Sequence, residues 1–183
     1  MAEYHHAVRF YQDSESLCRI VGEFVGKGLE GGDPAVIIAT PDHRTLIDTC
    51  LRERGLDVDM LKRLGDLVVL DARDVLGTFM VSDMPDPEAF RYNVGQIISQ
   101  VRRGRATCTV YTYGEMVDVL WRDGLEAAAI RLEMLWNELA NDLRFKLVCG
   151  YSMGNFYKEA AVDEITALHS HRIDDDGSAD KVA

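Results

Sequence analysis

Glu115, inside the stretch CTVYTYGEMVDVLW (108–121), is the residue of this chain best placed to do chemistry. The stretch opens like a buried strand and closes like an amphipathic helix. Tyr113, Gly114 and Glu115 therefore form a strand-to-helix turn with a carboxylate at its tip. Three roles are open to that carboxylate: it catalyses, it holds a ligand, or it caps the helix. A carboxylate in a first helical turn gains about 0.3–1 kcal/mol from the helix dipole, which by itself accounts for a cap. Acid–base catalysis needs a partner group within hydrogen-bond reach, and Asp71 is the obvious one.

Other chemistries fail on spacing. A nucleotide-hydrolysing α/β domain carries GxxxxGK[ST] after its first strand, where backbone amides and a lysine neutralise the phosphates. Here that place reads FYQDSESLC, without glycine or lysine, and Asp13 and Glu15 repel a triphosphate. The glycines of GKGLEGG (26–32) end a helix instead of opening one. No GxSxG elbow presents a serine nucleophile, and no local signature ties Cys108 or Cys149 to a histidine. His5-His6 and His169-x-His171 lack the i, i+4 spacing that places two metal ligands on one helix face. Neither a metal nor a cofactor is expected.

Five apolar runs must position the remaining candidates: HAVRFY (6–11), PAVIIAT (34–40), DLVVLDA (66–72), TCTVYTY (107–113) and FKLVCGY (145–151). VIIA and LVVL are apolar without alternation, as strands covered on both faces are. Helical patterns separate the runs. The first takes Ser14 as its expected N-cap and stops at Gly31-Gly32. The second starts at Pro41 and ends at Gly55. A short helix around 57–64 stops at Gly65. Two longer ones follow, in 86–104 and 125–142, the latter with Leu125, Ala128, Ala129, Leu132, Leu135, Trp136 and Leu139 on one broad apolar face. VDEITALHSHRI (162–173) reads as a last helix.

Strands alternating with helices of these lengths make βαβ units. The expected fold class is α/β, a mainly parallel sheet of five or more strands with helices on both faces. Such sheets bind ligands beyond the carboxyl ends of their strands. That rule nominates Phe10, Tyr11 and Ser14 after the first strand, Thr40 and His43 after the second, and Asp71 after the third. Tyr113, Glu115 and Met116 follow the fourth, and Cys149 and Tyr151 the fifth. Aromatic, thioether and hydroxyl groups with few charges suit a small organic molecule better than a phosphate.

Composition narrows the partners. The chain has 183 residues, enough for one domain that buries about 70% of its unfolded surface. Its net charge of −11 opposes direct binding of nucleic acid or an anionic membrane. MAEYHHAVRF lacks the apolar centre of a signal peptide, no run is long enough to span a membrane, and the scattered cysteines read as reduced thiols. A cytoplasmic protein is expected. The single domain is expected over 1–173, with RIDDDGSADKVA leaving an acidic, disordered tail over 174–183.

Several segments together resemble a known family. HHAVRFYQDSESL, GLEGGDPAVIIATPDHRTLI, LVVLDARDVLGTFM, YGEMVDVLW, LEMLWNELA and FKLVCGYSMGNF are similar, in order, to the MEDS domain, the methanogen/methylotroph DcmR-type sensory domain. The resemblance implies a RecA/KaiC-related three-layer architecture without a phosphate loop, in a bacterial or archaeal signalling protein. It implies sensing of a small organic ligand without catalysis, and relay to a histidine kinase, an anti-sigma-type ATPase or a transcription regulator. The family's recurring positions fall on His6, Phe10, Tyr11, His43, Asp71, Ala72, Gly114, Glu115, Met116 and Cys149, which adds His6 to the candidate ligand contacts. The alternative is a protein-interaction module, a homodimer built on the apolar face of 125–139 around a degenerate nucleotide site.

Overall fold

The computed structural model describes residues 6–155 and 159–182. Its main sheet has seven strands in the order β3-β2-β6-β7-β1-β8-β9. These are β1 (His6–Tyr11), β2 (Ala35–Ala39), β3 (Leu67–Asp71), β6 (Val110–Gly114), β7 (Phe145–Ser152), β8 (His171–Ile173) and β9 (Ala179–Lys181). All neighbours pair in parallel except β8 with β9. The four most internal strands contain the apolar runs seen in the sequence, because apolar side chains can be covered on both faces of a sheet without hydrogen-bond partners. Two residues each make β4 (Met80–Val81) and β5 (Met84–Pro85), a separate antiparallel pair.

Helices α1 (Ser14–Glu30), α2 (Pro41–Glu53) and α3 (Val58–Leu64) cover one face. Helices α4 (Ala72–Gly77), α5 (Pro87–Arg102), α6 (Met116–Arg122), α7 (Glu126–Asp142) and α8 (Glu159–Ala167) belong to the other. Consecutive core residues of one strand feed different cores: Ala7 and Tyr11 face α1, whereas Val8 and Phe10 face the α5–α7 layer. The tight α1–α2 contact depends on Gly22, whose missing Cβ would lie 2.8 Å from Cys50 Cβ. The mostly parallel α/β class expected from the sequence is the class observed.

Four expectations change. The last helix stops at Ala167, and His171–Ile173, read as its end, is strand β8. Asp13, not Ser14, is the N-cap of α1, its carboxylate accepting from Ser16 N at 2.7 Å. The tail does not end the ordered chain at Asp174: the chain turns at Gly177 (φ 79°) and returns as β9 against β8. Hydrogen bonding to a sheet edge compensates for the few apolar residues there. The apolar face of α7 is no dimer surface either, since Ala128, Ala129, Leu132, Leu135, Trp136 and Leu139 are buried in the chain's own core.

Candidate functional site

The carboxyl ends of β1, β2, β6 and β7 meet at the start of α6, and two carboxylates of that segment hold them. Glu115 is 1% exposed. Its Oε1 accepts from the amide of Thr40, the N-cap residue of α2. Its Oε2 accepts from His43 Nδ1 at 2.5 Å and from the Tyr113 hydroxyl at 2.9 Å. His43 in turn reaches Ser14 Oγ through Nε2 at 2.9 Å, so α1, α2, β6 and α6 share one buried chain of hydrogen bonds. Glu115 precedes α6 as its N-cap residue yet makes no side-chain cap there. The carboxylate caps the neighbouring helix instead of its own.

Tyr113 reaches Glu115 because Gly150 gives way to it. A Cβ at Gly150 would stand 2.6 Å from the Tyr113 hydroxyl. Asp118, one turn into α6, makes the second tie: its Oδ1 accepts from Ser152 N at 2.9 Å, and its Oδ2 accepts from the Tyr11 hydroxyl at 3.4 Å. Arg122 completes an ion pair to Asp118 at 3.2 Å.

The electrostatics follow from burial opposed by pairing. Burial pushes Glu115 up, but hydrogen bonding and attraction from His43, with the Thr40 amide, hold it below its ordinary value. Burial pushes His43 down, and the Glu115 carboxylate overcomes this and raises it. Both shifts favour the ionised form of the pair, imidazolium with carboxylate. Burial followed by the Glu115 charge raises Tyr113 well above 10.0 and takes the Cys18 thiol up to about 12.

Asp71 is not part of this cluster. It caps α4 through the amides of Arg73 and Asp74 and pairs with Arg44 at 3.0 Å. Asp71 and Glu115 have separate partners and form no acid–base dyad. Met116 is 1% exposed and packs in the core beside Val117.

His6, Cys149 and Tyr151 gather elsewhere, in the middle of the sheet's other face. Cys149 lies inside β7 and not at its end. These three meet Glu133 of α7, with Tyr151 OH donating to Glu133 Oε1 at 2.7 Å. The spacing argument against a histidine pair holds within His169-x-His171. It fails across the chain, because the fold brings His6 to His169 with ring centroids 4.1 Å apart.

An opening of about 380 Å³ lies past the end of β1, lined by Phe10, Gln12, Asp13, Arg19, Met153 and Arg172 among others. Of the candidates read from the sequence, Phe10 alone lines it. Its floor is Arg9, 2% exposed, donating to Ile173 O at 3.1 Å and Ser16 Oγ at 3.3 Å, and to Asp175 Oδ1 at 2.5 Å. Among the described residues, Arg9 Nε has no hydrogen-bond partner. Sequence reasoning passed over Arg9, though a charge inside a buried strand was signal enough. Asp13 stands at the α1 N-terminus, the place a phosphate would need, which agrees with the missing phosphate loop.

Comparison with known proteins fits this geometry. The family model for MEDS, the methanogen/methylotroph DcmR sensory domain, matches residues 5–170. The chain belongs to the MEDS family. Among solved structures, the MEDS chain is similar to a KaiC-like protein from the hyperthermophilic archaeon Pyrococcus horikoshii OT3, with a TM-score of 0.61 and 10% identity over 92% of this chain and 69% of that one. It is also similar to an uncharacterised P. horikoshii protein in complex with an unknown peptide, with a TM-score of 0.66 and 11% identity over 93% and 77% of the two chains. At such identities the likeness is one of fold, and it places this MEDS domain in a RecA/KaiC-like α/β architecture. No curated protein matches. Among the described residues no helix is long and apolar enough to cross a membrane. A sensory role is what MEDS membership carries.

Proposed function

We propose that this MEDS domain is a non-enzymatic cytoplasmic sensor that binds a small organic anion in the opening beyond β1 and relays its presence to a separate signalling protein. The observation that carries the reading is Arg9. A buried guanidinium is costly unless paired, and its carboxylate partner, Asp175, sits on a turn with a side chain 96% exposed. A ligand carboxylate can take the place of Asp175, with Phe10, Met153 and Ile173 supplying apolar contact for its carbon skeleton. Displacing Asp175 releases the β8–β9 turn, which gives a partner two surfaces to distinguish. The neighbouring Tyr11 connects the same strand end to Asp118 and hence to α6. A ligand that favours one arrangement by a few kcal/mol shifts the population accordingly.

Glu115 in this reading is a structural tie. Its three protein donors, with the separate engagement of Asp71, support binding without catalysis. The relay partner is a kinase, an anti-sigma-type ATPase or a transcription regulator, as the family's known architectures suggest.

Isothermal titration of the purified chain with short-chain carboxylates and the matching neutral alcohols tests the reading. Saturable binding of a carboxylate, absent for its alcohol and lost in Arg172→Gln with Arg9→Gln, is the expected result. Equal or absent heats for both series in a cooperatively folded chain reject it.

A further inference from the structure

We propose that His6, Glu133, Cys149 and His169 form a closed four-coordinate site for a divalent first-row metal ion, zinc by its donor set. The four residues come from β1, α7, β7 and the segment after α8, and each offers one ligand atom within 4.8 Å of the others. Three donor–donor distances, among His6, Glu133 and Cys149, are already near the edges of a coordination tetrahedron, and His169 approaches the other oxygen of Glu133. His6 Nε2 stands 3.1 Å from Glu133 Oε2 and 3.2 Å from Cys149 Sγ. Cys149 Sγ is 3.4 Å from Glu133 Oε2, and His169 Nε2 is 3.4 Å from Glu133 Oε1. Zinc with nitrogen, oxygen and sulfur ligands has donor–donor edges of about 3.3–3.6 Å.

The surrounding hydrogen bonds fix which nitrogens face inward. Asn137 Nδ2 donates to Leu168 O at 2.8 Å, so its Oδ1 is the atom turned to His6 Nδ1 at 2.8 Å. An amide oxygen only accepts, and His6 Nδ1 therefore carries a proton. His169 Nδ1 lies 2.8 Å from Ile165 O and carries one for the same reason. In the neutral rings both Nε2 lone pairs then point at Glu133. Histidine ligands of metals are oriented in this way, with the second nitrogen donating to a backbone carbonyl or side-chain oxygen.

With both rings neutral and no cation bound, the cluster is short of protons. His6 Nε2, His169 Nε2 and Glu133 Oε2 are three acceptors, and the Cys149 thiol brings one proton for them. His169 Nε2 is buried and has no hydrogen-bond partner among the described residues. A divalent ion resolves the deficit: it takes both lone pairs, and Cys149 loses its proton to solvent as the metal–sulfur bond forms. Two positive charges then meet one thiolate and one carboxylate. The site is neutral, as a fully buried site should be. The open position of a catalytic zinc is missing, because the fourth ligand comes from the chain itself, so the ion serves as a clamp that joins the α8–β8 segment to the sheet.

Cobalt substitution of the tag-free full chain tests this. The chain is stripped of metal under reducing conditions and titrated with Co2+ and Zn2+, with metal content measured after desalting. One ion per chain is expected, with tetrahedral visible bands and a sulfur-to-cobalt charge-transfer band in the near ultraviolet. Cys149→Ser abolishes that band and Cys50→Ser leaves it. Asn137→Ala, which keeps all four ligands, weakens binding about 10- to 100-fold. A cooperatively melting wild-type chain that retains neither ion overturns the proposal, as does a charge-transfer band that survives Cys149→Ser. A chain that folds only with metal supports it.

Discussion

His43 and Glu115 form an ion pair across two helices, Nδ1 to Oε2 at 2.5 Å, with both side chains inside the protein. The pair joins the first turn of α2 to the residue before α6, and Thr40 and Tyr113 supply its remaining hydrogen bonds. Two connections of the sheet, leaving β2 and β6 on opposite faces, are thereby locked at one point. The same carboxylate could have been spent on its own helix for a few tenths of a kcal/mol. Binding α2 instead makes it a tertiary contact.

Glu115→Gln should therefore act on stability first. Glutamine keeps one oxygen, enough for the Thr40 amide, but turns an NH2 towards His43 and Tyr113 and removes the charge that holds the His43 proton. Breaking one side of a buried pair costs about 3 kcal/mol. Urea denaturation should show a lower midpoint with an unchanged slope. A midpoint within error of wild type would contradict the buried pair.

The same pair predicts a pH window. His43 is raised in the folded chain, so its contribution is complete below its ordinary 6.5 and is lost as pH rises through the folded value. Glu115 is depressed, so its contribution is complete above its ordinary 4.5 and is lost as pH falls through its folded value. The pair contributes most between these two ordinary values. Asp118 reinforces the His43 charge and Arg122 opposes it, while burial works against it throughout. The stability difference between wild type and His43→Gln should shrink as pH is raised above 6.5. A difference that grows there would reverse the assignment of the charged imidazole.

The strands were legible because burial on two faces demands continuous apolar runs, and AVIIA of β2 is such a run. Most helix ends were legible from Pro41, Gly55 and Gly65, whose backbones suit starts and stops. What escaped was anything assembled from distant residues. Glu133 stands four residues after Ala129 and three before Trp136, on the core face of α7, and an acid there already calls for a buried partner. Its partners His6 and His169 are more than a hundred and more than thirty residues away, with nothing local to join them. Asp175 was misread for a related reason. Three consecutive aspartates look like a free tail, and only the fold shows that a buried arginine from β1 reaches one of them.

Gly150 offers a test of how Glu115 is positioned. A methyl group there would meet the Tyr113 hydroxyl at 2.6 Å and ring carbons at 3.2 and 3.3 Å. Overpacking of this kind costs about 1–3 kcal/mol. Gly150→Ala should lower the melting temperature, and Tyr113→Phe in the same chain should recover part of the loss by removing the clashing oxygen. A double-mutant cycle measures that coupling. Strict additivity would mean that the ring relaxes away from Gly150 without help.

Asp175→Asn separates a structural tail from a competing one. The pair it breaks has one partner almost fully exposed, so the stability lost should be about 0–1 kcal/mol. Arg9 keeps its bonds to Ile173 O and Ser16 Oγ. If Asp175 occupies the place of a ligand carboxylate, removing its charge frees the guanidinium for a ligand. Releasing a competitor worth about 1 kcal/mol strengthens carboxylate binding about fivefold. Titration of the variant and wild type with the same carboxylate reads this directly. Tighter binding with a nearly unchanged melting temperature identifies Asp175 as the internal stand-in. Unchanged affinity would leave the Arg9–Asp175 contact as a fastening of the β8–β9 turn alone.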